Sequence, residues 1–266
     1  MSKVVLITGG SSGIGKSIGE YLTKHGFTVY GTSRNPEKYV NHPFKMVGLD
    51  VKDVSSIYDA VAKVVAHEGQ LDVVINNAGV GITGPIEEIP QAEIQHNFDT
   101  NFFGPINVIK AVLPQMRKQE GGLIINITSI AGYMGLPYRG IYSASKGAPE
   151  LLTEAFRIEI KDFNINMTNI APGDFATNIA AGRFHAPLKE ESPYKKYGRV
   201  LHDIDDHVNN SSDPIEVSKM VLKVIRTKKP QTHYIVGAFM QKFSIVLKFL
   251  LPDRIYEKML INHYKL

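Results

Sequence analysis

Seven short runs rich in β-branched residues, at 4–8, 28–31, 45–49, 73–76, 123–128, 166–170 and 233–236, alternate with helical patterns along the chain. Near-continuous apolarity within such a run means that both faces of the strand are covered. Strands separated by helices imply right-handed crossovers between parallel neighbours. The pattern predicts an α/β fold: a doubly wound, seven-stranded parallel sheet flanked by helices on both faces. No linker rich in Pro, Gly or Ser divides the 266 residues and no repeat is visible, so 1–266 reads as a single domain. Two segments exceed what that fold requires. Residues 174–213 mix prolines, charges and aromatics over a length that suits a substrate loop or lid, and 239–266 form an apolar C-terminal extension.

The chain has no cysteine, which removes disulfide scaffolds, thiolate nucleophiles, zinc knuckles and iron–sulfur clusters. Its net charge of +4 is spread rather than gathered into a stripe, an argument against a nucleic acid partner. The first apolar run is far shorter than a signal-peptide core. The run at 243–251, broken by Lys248, is about half of what a bilayer span needs. The expectation is a cytoplasmic protein without a transmembrane segment. The tail after Phe239 alternates apolar clusters with Lys242, Lys248, Arg254 and Lys258, which suits packing on the domain and leaves room for peripheral membrane contact. His202-Asp203-Ile204-Asp205-Asp206-His207 contains metal-ligating residue types, but its histidines are five apart, off a common helical face. It reads as a solvated charged loop, and no metal is expected.

Thr8-Gly9-Gly10-Ser11-Ser12-Gly13-Ile14-Gly15-Lys16-Ser17 sits where the first strand turns into the first helix and satisfies two phosphate-binding patterns at once. Gly10, Gly15, Lys16 and Ser17 match a P-loop, with Asp50 at a strand end on offer for magnesium. Gly9, Gly13 and Gly15 match a relaxed dinucleotide fingerprint, in which small residues let a pyrophosphate approach a helix N-terminus. The same glycines would also serve a plain tight turn. Downstream residues favour the dinucleotide. Asn76-Asn77-Ala78-Gly79 closes the fourth strand with side chains small enough for the backbone to pass beneath a flat ligand. Ser129 closes the fifth strand, and Tyr142 and Lys146, four apart, share one helix face. Singly these have ordinary readings: Tyr142 a half-buried tyrosine, Lys146 its solvated neighbour, Ser129 a strand-end hydrogen bonder, Asn101 a turn or cap residue.

Together these motifs make the chain resemble a classical short-chain dehydrogenase/reductase over about residues 4–177, a family with a Rossmann-type fold. Its Thr-Gly-x-x-x-Gly-x-Gly pattern is met by Thr8, Gly9, Gly13 and Gly15, its Asn-Asn-Ala-Gly element by 76–79, and its catalytic tetrad by Asn101, Ser129, Tyr142 and Lys146. Pro172, Gly173 and Thr177, with Phe175 among them, match the element that closes over a nicotinamide. A looser similarity points to 17β-hydroxysteroid and retinol dehydrogenase-like reductases.

The resemblance implies an oxidoreductase that interconverts a ketone or aldehyde and its alcohol by hydride transfer. Tyr142 would act as acid and base. A phenol of ordinary pKa near ~10 does so at neutral pH only if its anion is stabilised. Lys146 would supply that charge and grip the ribose, Ser129 would bond the substrate oxygen, and Asn101 would hold a water that relays protons. The family's cofactor contacts fall on Gly9, Ser11, Ser12, Gly13, Ile14, Gly15, Asn77, Ala78 and Gly79, with Asp50 and Val51 at the adenine.

The acid that holds a ribose diol after the second strand in NAD binders is absent. Ser33 and Arg34 stand there instead, and an arginine can fork onto a 2′-phosphate, so NADP(H) is the expected cofactor. Substrate walls are expected from 80–85, 130–139 and the loop after Phe175, including Tyr133, Met134, Leu136 and Tyr138. That lining suits a hydrophobic carbonyl or alcohol. Pro149 departs from the family pattern, either sitting in the first helical turns or kinking a helix that often forms a dimer face. A homodimer or homotetramer is expected. Two other readings compete: a catalytically silent dinucleotide-binding sensor or scaffold, and a P-loop nucleoside triphosphatase.

Overall fold

The computed structural model describes residues 2–175, 182–209 and 213–266. All seven expected strands form: β1 (Val4–Ile7), β2 (Thr28–Ser33), β3 (Lys45–Gly48), β4 (Val73–Asn76), β6 (Gly122–Ile127), β7 (Ile165–Pro172) and β9 (His233–Val236). They pair in parallel in the order β3-β2-β1-β4-β6-β7-β9. A second, two-stranded pairing of β5 (Ile82–Thr83) with β8 (Phe184–His185) was not legible in the sequence.

Strand alternation explains the two layers of helices. Val4, Leu6, Val74 and Ile124 face a core shared with α2 (Val54–Glu68) and α4 (Gly104–Lys118). Val5, Ile7, Val73, Ile75 and Ile125 face the opposite core, shared with α1 (Gly13–Lys24) and α7 (Ile215–Arg226). Successive side chains of a strand point to opposite faces, so a strand apolar at every position needs cover on both. Leu6 and Ile7 are 0% exposed, and burying each is worth about 1.5–3 kcal/mol. On α1 the apolar positions Ile14, Ile18 and Leu22 recur every four residues and are all buried.

A polar seam interrupts this apolar sheet. Asn76, Asn126, Asn169 and His233 stand in register across β4, β6, β7 and β9. Asn76 Nδ2 donates to Asn126 Oδ1 (2.9 Å), Asn126 Nδ2 to Asn169 Oδ1 (3.2 Å), and Asn169 Nδ2 to Glu150 Oε2 (2.8 Å). Buried amides demand such partners, so any one-residue slip of a strand would orphan several at once.

Two expectations are corrected. Of the two readings of Pro149, the first-turn one fails: it is the tenth residue of α5 (Gly140–Glu159), in the helix interior. Side chains on both sides of it, Ser145 and Lys146 before and Glu150 and Thr153 after, are buried and hold α5 where the proline removes a backbone bond. The 202–207 stretch is not a loop: it lies in α6 (Tyr197–Asn209), where Tyr197, Val200 and Ile204 are buried at helical spacing. Its charges mask that apolar stripe in the sequence. The remaining elements are α3 (Gln91–Phe98) and two C-terminal helices, α8 (Phe239–Leu250) and α9 (Asp253–Tyr264).

Candidate active site

The sheet order reverses beside β1, which opens a crevice at the carboxyl ends of β1 and β4. The glycine loop fills one side of it. Gly9 and Gly13 adopt positive φ (66° and 53°), a conformation glycine reaches without strain. A β-carbon on Gly15 would lie 2.3 Å from Gly9 O and 2.4 Å from Asn77 Nδ2. Asn77 braces the loop, its Nδ2 donating to Thr8 O (2.9 Å) and Gly9 O (3.1 Å). Thr8 Oγ1 in turn accepts from the backbone N–H groups of Asn77 and Ala78 (2.9 and 3.0 Å).

Ser12 stands at the N-cap of α1 without a side-chain cap bond, and the first turn carries no acid. The free N–H groups and the positive end of the helix dipole at Gly13, Ile14 and Gly15 therefore suit a pyrophosphate. The P-loop alternative loses its chemistry here. Ser17 Oγ is hydrogen-bonded to Ser218 Oγ on α7 (2.9 Å), and Lys16 turns to Glu20 (3.7 Å). Neither faces the loop.

At the end of β2, Ser33 Oγ accepts from Asn35 N (3.2 Å) and Arg34 is exposed. Asp50 Oδ1 accepts from Lys52 N (2.9 Å), and Val51 packs against Gly104. Ser11 is half-buried beside Ser12. Pro172 ends β7, Gly173 N donates to Val236 O (2.7 Å), and Phe175 is buried against the α1 face. Thr177 lies outside the described residues.

The four tetrad positions converge. Asn101 falls in a single π-helical turn (Asp99–Phe103) between α3 and α4, a local widening common at functional sites. Its Oδ1 accepts from Val80 N (2.9 Å), and its Nδ2 donates to Val80 O (2.9 Å) and Ser145 Oγ (3.1 Å). Lys146 Nζ donates to Ile127 O at the end of β6 (3.1 Å). A β-carbon on Gly79 would sit 3.1 Å from Asn101 Oδ1 and 3.2 Å from Lys146 Nζ, so glycine there keeps the space between them open. Ser129 caps the short turn 130–133, accepting from Ala131 N (3.2 Å), and hydrogen-bonds the Tyr142 hydroxyl.

Burial raises the Tyr142 pKa above the ordinary phenol value, while the Ser129 hydrogen bond and then the charges of Arg139 and Arg183 draw it back. Burial also lowers the Lys146 ammonium to about 8, against an upward pull from Glu150 one turn along α5. Glu150 itself accepts from Tyr133 OH (2.9 Å) and lies 2.6 Å from His233 Nδ1.

Ser129, Tyr142 and Lys146 open onto a cavity of about 440 Å³. Val80, Ile82, Met134 and Leu136 line it as expected, but Tyr133 turns to Glu150 and Tyr138 packs edge-on against Tyr194 and tilted against Tyr197. Arg139 and Arg183, inside the expected wall segments, line the cavity together with Asp174, and the effect of their charges on the phenol is what the sequence did not show. Sequence reasoning also missed the far wall. Met240 and Leu247 of α8 and Tyr256, Met259 and Leu260 of α9 complete the cavity. They are held by Ile245 and Tyr256 packing on Ile130 and Met134, with Tyr256 OH on Met134 Sδ (3.1 Å).

Residues 3–187 match the family model for short chain dehydrogenase. The chain belongs to the short-chain dehydrogenase/reductase family. This short-chain dehydrogenase is 38% identical to 3-ketodihydrosphingosine reductase of Bacteroides thetaiotaomicron, over 96% of the chain and 95% of that relative. It is 30% identical to NADPH-dependent 3-dehydrocapnine reductase of Ornithobacterium rhinotracheale, over 99% and 98%. A short-chain dehydrogenase from Streptomyces avermitilis has the same fold, with a TM-score of 0.83 at 28% identity, covering 100% of this chain and 96% of that one. The short-chain dehydrogenase is an oxidoreductase acting on CH–OH and C=O groups. Among the described residues no helix is long and apolar enough to cross a membrane.

Proposed function

We propose that this short-chain dehydrogenase uses NADPH to reduce the ketone of a long-chain lipid of the 3-ketodihydrosphingosine type to its secondary alcohol. One observation carries the reading: the cavity in front of Ser129 and Tyr142 is walled mainly by apolar side chains, those of α8 and α9 among them, a lining that suits an aliphatic chain. The two relatives named for 3-keto substrates support it. Asp174 lines the same cavity within electrostatic reach of Tyr142, and its carboxylate would suit an amine on the carbon next to the ketone.

The dinucleotide, when bound, supplies the hydride. Its pyrophosphate would be held by the backbone at Ser11, Ser12, Gly13, Ile14 and Gly15, its ribose by Tyr142 and Lys146, and its nicotinamide side by Pro172, Gly173, Phe175 and Thr177. Gly9, Asn77, Ala78 and Gly79 would form the floor, and Asp50 and Val51 the adenine edge. Ser33 and Arg34 would take the 2′-phosphate, which favours NADPH over NADH. Ser129 Oγ and the Tyr142 hydroxyl would bracket the ketone oxygen. Tyr142 gives it a proton as charge develops, and Ser129 stabilises that charge. Lys146, whose pKa burial lowers to about 8, would return a proton to the phenol through a water held near Asn101. A second copy of the chain would seat on the α5 face, where Leu151 and Ile158, seven apart, are 70% and 77% exposed.

The test follows NADPH oxidation with 3-ketodihydrosphingosine, a steroid 17-ketone and a short aliphatic ketone. The expected kcat/KM for the lipid ketone exceeds the others by about 100-fold. A preference for the steroid would overturn the substrate class, and no turnover of any carbonyl would favour the silent sensor.

A further inference from the structure

Half of the exposed large apolar side chains among the described residues lie in the final 28 residues. On α8, Phe239, Phe243, Val246 and Leu250 follow one another at helical spacing along a single outward stripe, with Phe249 beside them. Phe239, Phe249 and Leu250 are 74%, 73% and 74% exposed. The opposite side of α8 is used up: Ile245 packs on Ile130 and Met134. α9 adds Ile255, Met259 and Ile261 to the exposed set. Soluble surfaces scatter such residues singly, and a concentration of this kind marks an interaction face.

We propose that the outer face of the α8–α9 pair docks on an anionic lipid surface and sets the cavity mouth at the interface. Two observations choose this occupant. First, the tail carries five lysine and arginine side chains, Lys242, Lys248, Arg254, Lys258 and Lys265, against two carboxylates, Asp253 and Glu257. A two-fold contact with a second copy would set this positive charge against itself, whereas an anionic headgroup layer complements it. Second, the patch runs into the cavity. Met240 and Met259 are exposed at 68% and 41% and also line it, so an aliphatic substrate could pass from acyl chains to the site without crossing water. Neither helix can span a bilayer, so the pair lies in the plane of the headgroups with its apolar stripe inward and its cations outward. The proposal deepens the lipid reading above, but its readout, flotation, does not depend on turnover of a lipid.

The experiment is flotation of the full-length protein with vesicles of phosphatidylcholine alone or mixed with phosphatidylglycerol. The wild type should float with the mixed vesicles, and less so as salt is raised. Phe239→Ser with Phe249→Ser, neither lining the cavity, should cut the floated fraction about tenfold. Lys242→Gln with Lys258→Gln should remove the preference for phosphatidylglycerol. Turnover of a short, water-soluble ketone by each variant, equal to wild type, shows that the fold is intact. Wild type that stays with neither vesicle, or a double phenylalanine variant that floats like wild type, overturns the proposal. So does a wild-type dimer that the phenylalanine variant converts to monomer, since that assigns the face to a second copy.

Discussion

Gly132 and Gly147 meet backbone to backbone: a β-carbon on Gly147 would lie 2.7 Å from Gly132 O, and one on Gly132 would lie 2.7 Å from Lys146 O. This contact presses the turn after Ser129 onto α5 and so sets Ser129 against Tyr142. Gly147→Ala should force the turn away from the helix. Because small misplacements of reacting groups are costly, kcat should fall about 10- to 100-fold. NADPH affinity, measured by fluorescence titration, should fall far less than kcat, since neither glycine lies against the glycine loop that would hold the pyrophosphate. Unchanged kcat would show that the close approach does not position the pair.

Ser129 lowers a Tyr142 pKa that burial has raised. In the alcohol-oxidising direction the reactive form is the phenolate, so the rate climbs as pH rises through this pKa. Ser129→Ala should move that rising limb to higher pH and lower kcat by about 10²–10³-fold. A pH–rate profile of alcohol oxidation reads both. Tyr142→Phe should abolish turnover at every pH while leaving cofactor binding intact.

Lys146 is buried and its pKa is drawn down to about 8 from 10.5. Between those values the unfolded chain binds more protons at this lysine than the folded one, so its contribution to stability rises with pH across the window. Below pH 8 the full cost is present, about 3 kcal/mol. Lys146→Met should therefore raise the Tm of the protein at pH 7 by several degrees, and the gain should shrink towards pH 10. Thermal denaturation at both pH values checks this. The same variant should lose activity.

Arg34 is the cation at the end of β2 where an acid would mark an NAD site. Arg34→Ala should raise the KM for NADPH about 10- to 100-fold, the loss of a charge-assisted phosphate contact, with little change for NADH. Steady-state kinetics with both cofactors decide it. Equal use of the two by wild type would remove the assignment.

Asp174 faces the cavity with its Oδ2 accepting from Gln241 Nε2 (2.9 Å). Asp174→Asn keeps the shape and removes the charge. It should raise the KM for an amino ketone about tenfold and leave a ketone without an amine unaffected. An equal effect on both would reduce Asp174 to a partner of Gln241.

Periodicity carried the seven strands, because each is apolar over a length that only a two-sided sheet can bury, and the spacing of Tyr142 and Lys146 on one helix face needed no tertiary information. Residues 197–209 read as loop because charges at 202–207 outnumber a buried stripe whose partner, the β5–β8 pair, is formed by chain some hundred residues apart. Tyr133 and Met134 are adjacent and both fall in the expected substrate wall, yet one turns its hydroxyl to Glu150 and the other faces the cavity; a side chain's direction at a turn is set by what packs on it.

The absence of cysteine, the glycine loop and the run of β-branched strands are local facts, and they determine the fold and the class of chemistry, because backbone conformation and strand burial depend on near neighbours. The tertiary structure alone brings Arg183 and Asp174 to the phenol, seats Gly132 on Gly147, and folds α8 and α9 over the cavity. Each is a contact between segments distant in the chain, decided by which surfaces remain to be covered after the sheet has formed.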